Sequence, residues 1–184
     1  MSESTIWLNP NGTEGSKGWD AKFPRIATIG HFVHAKNQNA SVMGLCTHFD
    51  HIGETSKKES AKLVQELVEA KTNGTSKPYW PFWVAGDFNS TPEQDAFKTL
   101  NANASALQDT RELAKWHYGN FQTATGLPEG GPGVGRSTID FVFVGPRGGE
   151  DWEVHGNSVL GNYFDSQIYS SDHRAVVADL VLRV

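Results

Sequence analysis

Apolar residues fall along this chain in short, β-rich runs separated by polar and glycine-rich stretches, with one long segment of helical period among them. Ile6, Trp7 and Leu8 read as a short strand ahead of a Gly/Pro-rich loop that runs to Pro24. RIATIGHFVHA (25–35) and SVMGLCTHF (41–49), divided by the polar KNQNA, predict an antiparallel hairpin. The spacing of Ala61, Val64, Leu67 and Val68 predicts a helix over 57–71, opened by Ser56 and Glu59 in capping-box spacing and closed by Asn73-Gly74-Thr75-Ser76. Phe82, Trp83, Val84 and Ala85 then form an apolar run that reads as a buried strand, with Gly86 letting the backbone turn out of the sheet.

A second helix follows at once: Thr91 as N-cap, Pro92 at the first helical position, Gln94 three residues after Thr91, and Ala96, Phe97 and Leu100 as its buried face. Leu107, Leu113, Trp116 and Tyr118 suggest a further short helix. The stretch 119–135, with six glycines and two prolines, is a loop long enough to shape substrate access. Strands return at 137–144, 152–160 and 175–184, the last an internal or lightly exposed one entered through the turn Ser171-Asp172-His173-Arg174. Strands alternating with helices in this way give a layered α/β domain, and 184 residues fit one such domain spanning 1–184.

A net charge of −5 leaves no general basic surface for gripping nucleic acid, so an anionic substrate has to be held by a local site or by metal ions. The single cysteine, Cys46, excludes an intrachain disulfide and a cysteine-rich zinc site, and its neighbours Leu45 and Thr47 suggest an inert core position. No run of 18 apolar residues exists, and residues 1–10 lack the charged and apolar regions of a signal peptide, so the chain as written reads as cytoplasmic and without stable membrane insertion. Asn-x-Ser/Thr triplets begin at Asn11, Asn39, Asn73, Asn89 and Asn103, five of the eleven asparagines, which keeps a secreted form open.

The chemistry-bearing residues lie at or near predicted strand ends: His48, Asp87, Asn89, Asp140, Asp172 and His173. Asp87 and Asn89, two positions apart beyond one strand, can face a single crevice, whereas the same Gly-Asp-x-Asn-Ser stretch is also ordinary turn chemistry. Asp140 interrupts an apolar run, where a carboxylate is costly unless paired. Carboxylates with a carboxamide and imidazoles form an oxygen-rich set that suits Mg²⁺ or Mn²⁺ better than zinc and fits phosphoryl chemistry. An acyl-transfer triad fits less well, because no serine has the Gly-x-Ser-x-Gly context.

THFDH (47–51), GDFNS (86–90), TIDFVFV (138–144) and SDHRAVVADL (171–180) resemble, in order and spacing, the motifs of the endonuclease/exonuclease/phosphatase family, the superfamily of deoxyribonuclease I; TIWLNP and GWDAKFPRI resemble the segment ahead of them. The resemblance implies a four-layered α/β sandwich of two mixed β-sheets flanked by helices, and metal-dependent hydrolysis of a phosphodiester or phosphomonoester. It makes His173 the general base or acid acting on water and Asp140 the group that orients it. Asp87 and Asn89 position nucleophile and phosphate, Asp172 and Asp87 contribute to Mg²⁺ (or Mn²⁺) binding, and His48 acts around the phosphate. Nucleic acid, a phospholipid head group or a small phosphodiester are the substrates it implies, with no obligate protein partner. Family members also carry an early Asn and a metal-binding Glu on N-terminal strands, and this sequence begins after both, with Glu3 and Glu14 in the wrong context. The expectation is therefore a phosphoesterase complete only with further N-terminal strands, or else a non-catalytic domain binding a phosphorylated ligand or partner. The 184 residues alone are expected to be inactive and to associate through an apolar face contributed by 82–85 and 141–144.

Overall fold

The computed structural model describes residues 2–72, 80–126, 137–148, 150–163 and 169–183. Strands β1 (Ser2–Trp7), β2 (Ile26–His34) and β3 (Asn37–His48) form an antiparallel meander, so the predicted hairpin is present, with a bulge at Val33/His34 and with β3 starting at Asn37 rather than Ser41. Helix α1 (Glu54–Thr72) returns the chain to β4 (Phe82–Asp87), which pairs parallel with β3, and α2 (Asp95–Leu100) follows. Then come β5 (Gln108–Asp109), α3 (Thr110–Leu113), β6 (Trp116–Gly119), β7 (Asp140–Gly145), β8 (Trp152–Val159) and β9 (Val176–Leu182). The larger sheet has the order β1-β2-β3-β4-β7-β5 and the smaller one β6-β8-β9; both mix parallel and antiparallel pairs. This is the mixed α/β, two-sheet arrangement the resemblance implies.

Period-two alternation decides which side chains are buried. Ala27 and Ile29 of β2, Met43 and Leu45 of β3, Phe82 and Val84 of β4, and Phe141 and Phe143 of β7 join Ala61, Val64 and Val68 of α1 and Ala96, Phe97 and Leu100 of α2 in one core. Phe88, Phe97, Phe141 and Phe143 meet there in tilted and edge-on ring contacts, such as 4.7 Å between the centroids of Phe97 and Phe141. The expected apolar face of 82–85 and 141–144 is therefore split. Its phenylalanines and Val84 lie under the helices, whereas Trp83, Ala85 and Val142 face the other way and are only half-buried, with the exposed Phe32 ring stacked on Trp83. The same alternation corrects Cys46: Leu45 and Thr47 point into the core, so Cys46 points out and is exposed, and partial desolvation raises its thiol pKa.

Other expectations shift for local reasons. Helix α1 begins at Glu54, before the predicted residue 57, because the carboxylate of Asp20 accepts from the backbone N–H groups of Thr55 (3.2 Å) and Ser56 (2.7 Å) and supplies the cap expected of Ser56. Thr91 and Gln94 do contact each other reciprocally, through Thr91 N to Gln94 Oε1 (2.8 Å) and Gln94 N to Thr91 O (2.9 Å), but this closes a turn ahead of α2 instead of starting the helix. Trp116 and Tyr118, read as helical, stand on strand β6 with their rings stacked 5.2 Å apart. Strand β9 is the last strand of the smaller sheet and half-exposed along its length. The expected closure of α1 at 73–76 and most of the long loop, 127–136, lie outside the described residues. Among the described residues no helix is long and apolar enough to cross a membrane.

The chain leaving β3 is fixed by Asp50, whose side chain is wholly buried. Its Oδ2 accepts from the N–H groups of Lys22 and Phe23 (3.0 Å each) and its Oδ1 from those of Ile52 (2.9 Å) and Gly53 (2.8 Å), with Arg25 Nε 3.8 Å away. Burial alone would push this carboxyl up, but the backbone donors outweigh it and hold the carboxyl far below the usual range. Its stabilising contribution is thus present above the ordinary carboxylate pKa and lost as pH falls through the depressed one. Asp50→Ala should lower the unfolding free energy at neutral pH by at least about 3 kcal/mol in urea denaturation, since four N–H groups lose a charged acceptor. A loss under about 1 kcal/mol would contradict this account.

Candidate active site

Three neighbouring strands meet at one edge of the larger sheet. His48 closes β3, Asp87 closes β4 and Asp140 opens β7, and the pairing register sets His48 opposite Asp87 and Asp87 opposite Asp140. The chain gets this far in register because Gly86, still within β4, has no Cβ to collide with the Thr47 carbonyl oxygen. The sequence suggested that Gly86 turns the chain out of the sheet; the turn comes after Asp87. There Asn89 adopts φ 46°, a left-handed conformation asparagine tolerates better than most residues. Its N–H donates to Asp87 Oδ1 (2.7 Å) and its Nδ2 to the Phe49 carbonyl (3.0 Å), tying the turn to the end of β3.

His173 arrives from the turn before β9. Its Nδ1 lies 2.9 Å from Oδ2 and 3.1 Å from Oδ1 of Asp140. A carboxylate only accepts, so Nδ1 carries the proton, which in the neutral imidazole leaves Nε2 its lone pair. On the other side, His48 Nε2 lies 3.3 Å from Asp87 Oδ2. Asp87, Asp140 and His173 each bring one potential ligand atom to within 4.8 Å of the others, forming a possible Asp/Asp/His metal site. Asp172 stands apart: its exposed side chain faces the Ser171 hydroxyl (3.4 Å), and its carbonyl accepts from Thr125. Its charge still reaches His173.

The site drives its two imidazoles in opposite directions. Burial disfavours charge on His173, but the Asp140 charge and hydrogen bond, helped by Asp87 and Asp172, outweigh it and raise the pKa. For His48, desolvation is the larger influence; with Arg25 and His173 also opposing charge, it prevails over the attraction of Asp87 and Asp140, and the pKa falls. Asp87 is raised, first by burial and then by the like charge of Asp140, against the Asn89 hydrogen bond and both histidines. One imidazole made harder to charge, a carboxyl made harder to ionise and a second imidazole made easier to charge thus share one rim, an arrangement that suits proton transfer in both directions.

The stretch after Tyr118, expected to be loop, braces the site through 121–126. Ala124 forms β-bridges to Ser137 and to His173, and the Thr125 N–H donates to the Asp172 carbonyl (2.9 Å). The signal was present in the threonines of FQTAT, a β-type run that the surrounding glycines obscured.

A family model for the endonuclease/exonuclease/phosphatase family matches residues 20–173. Among solved structures, an endonuclease/exonuclease/phosphatase from Bacteroides vulgatus superposes with a TM-score of 0.84 at 29% identity, covering 100% of this chain and 66% of that one. A mannosyl-6-phosphatase from Bacteroides thetaiotaomicron gives 0.82 at 28% identity, covering 98% and 66%. TDP2 of D. rerio, complexed with single strand DNA product, gives 0.71 at 14% identity, covering 98% and 67%, and shares the fold alone. The chain thus spans 66% of the length of the first two of these relatives. No curated protein matches it. With a model match that runs from before the first sheet hairpin to His173, the chain belongs to the endonuclease/exonuclease/phosphatase family.

Proposed function

We propose that this chain carries the acid–base rim of a metal-dependent phosphoesterase, in which His173 takes a proton from the attacking water. The observation that carries this reading is the set of His48, Asp87 and Asp140 abreast on three strand ends, with His173 seated on Asp140. Asp140 fixes the tautomer, leaving Nε2 of His173 as the base, and stabilises the imidazolium that forms. Asp87, held by the Asn89 N–H, orients the water and phosphate, and His48 beside it donates to the ester oxygens.

The donor set fits a hard divalent cation. Asp87 and Asp140 offer carboxylate oxygens within reach of one another, and Asp172 on the adjoining turn is the further carboxylate that the resemblance assigns. Mg²⁺ or Mn²⁺ would supply charge neutralisation at the phosphoryl oxygens. Phosphate esters of sugars and small phosphodiesters suit a chain whose net charge of −5 gives no general basic surface, and the 28% identical mannosyl-6-phosphatase supports the former.

Hydrolysis of bis(p-nitrophenyl) phosphate and of mannose 6-phosphate, with and without added Mg²⁺ or Mn²⁺, tests the reading. In a protein that joins this chain to the further N-terminal strands the resemblance implies, turnover of at least one should appear with the ion and vanish with chelator. His173→Ala and Asp87→Ala should each lower it at least about a hundredfold. Chelator-resistant turnover would overturn the metal requirement, and unchanged turnover in both variants the site; binding without turnover of either ester would favour the non-catalytic alternative.

The pH dependence has a definite sign. Because Asp140 raises the His173 pKa, the pair stabilises the folded state below the ordinary imidazole pKa, and that contribution is lost as pH rises through the folded value. Asp140→Asn removes the anion, so His173 stays neutral to lower pH. The acid limb of the turnover profile should move to lower pH while maximal turnover falls at least about tenfold. An acid limb that stays in place would show that another group sets it.

A further inference from the structure

We infer that Thr123, a wholly buried residue outside every catalytic-type motif of the sequence, is a positioning residue that sets the geometry of the Asp140–His173 pair. The inference rests on the reading of that pair as the acid–base unit. Two separate chain segments have to meet for the pair to exist, the start of β7 and the turn before β9, and Thr123 binds both. Its Oγ1 accepts from the backbone N–H groups of Ile139 (3.0 Å) and Asp140 (3.1 Å), and its hydroxyl hydrogen points to the Ser137 carbonyl (3.5 Å). A hydroxyl has two acceptor sites and one donor, and all three are used on the segment that carries Asp140. The main chain of Thr123 serves the other side: its carbonyl accepts from Arg174 N–H (2.7 Å), one residue after His173, while its N–H donates to the Ser137 carbonyl (2.9 Å).

These bonds do what β-pairing does elsewhere in the sheet. Asp140 is the first residue of β7, so its N–H meets a side-chain oxygen in place of a neighbouring strand. On the far side, the Ile139 carbonyl accepts from Phe88 N–H (2.9 Å), one residue after Asp87, so the anchoring of Ile139 also bears on the distance between the two carboxylates. Removing the hydroxyl alone leaves the Arg174 bond in place and frees only the Asp140 side, which separates positioning from the general packing of the loop.

The test compares Thr123→Val, which keeps the shape and deletes the hydroxyl, with Thr123→Ser, which keeps the hydroxyl. In the folded valine variant, amide exchange at Ile139 and Asp140 should accelerate at least about tenfold, and the downfield proton NMR signal of His173 Nδ1–H on Asp140 should shift upfield or vanish. Turnover should fall about tenfold or more with KM within about twofold. The serine variant should restore the signal and turnover. If the valine variant does not fold, Thr123→Cys, with a weak acceptor in a similar volume, carries the same expectations. The NMR readouts need no substrate, so they stand even if the phosphoesterase reading fails. An unchanged His173 Nδ1–H signal in a folded variant lacking the hydroxyl, or a serine variant as impaired as valine, would overturn the inference.

Discussion

The site depends on lateral register between three strands. A β-sheet holds neighbouring strands under 5 Å apart, and a slip of one residue sends every side chain to the opposite face. In this chain β3 and β4 run parallel and β7 antiparallel, so two strands finish and one begins at the same edge, with His48, Asp87 and Asp140 level there. The buried aromatics of β4 and β7 and the helices packed on them enforce that register, because a slip would carry Phe82, Val84, Phe141 and Phe143 out of the core. Core packing and site geometry are thus one constraint: the apolar alternation that stabilises the sheet also places the carboxylates.

Placing like charges side by side has an electrostatic cost, and the surroundings offset it. Asp140 is paired with an imidazole, Asp87 receives an N–H and faces a second imidazole, and partial burial together with the proximity of Asp140 lifts the Asp87 pKa. Proton affinity is raised at His173 and lowered at His48. A divalent cation among Asp87 and Asp140 would relieve the same repulsion.

Much of this was legible in the residues. The hairpin, the strand at Phe82, the core face of α2 and the strand that carries Asp140 follow from period and turn chemistry, and the four motifs identify the family. What was not legible depends on partners distant in sequence. The cap of α1 comes from Asp20, more than thirty residues upstream, and overrides the local Ser56 signal. Strand β6 gains its conformation by pairing with β8, which no local propensity at Trp116 and Tyr118 reports. Cys46 shows the limit of reading burial from apolar neighbours: in a strand, a residue between two buried ones faces the other way. Asp172, given a metal-binding role by the resemblance, lies on an exposed turn next to His173, whose pKa its charge helps to raise.

The most direct test of the account is a proton NMR titration of the imidazole C–H signals of His48 and His173 in one sample of the metal-free chain. If the register places Asp140 beside His173, and partial desolvation of the otherwise exposed His48 outweighs its attraction to Asp87, His173 titrates above the ordinary imidazole value of about 6.5 and His48 below it. Coincident midpoints, or the reverse order, would contradict the assembly of these residues into one site.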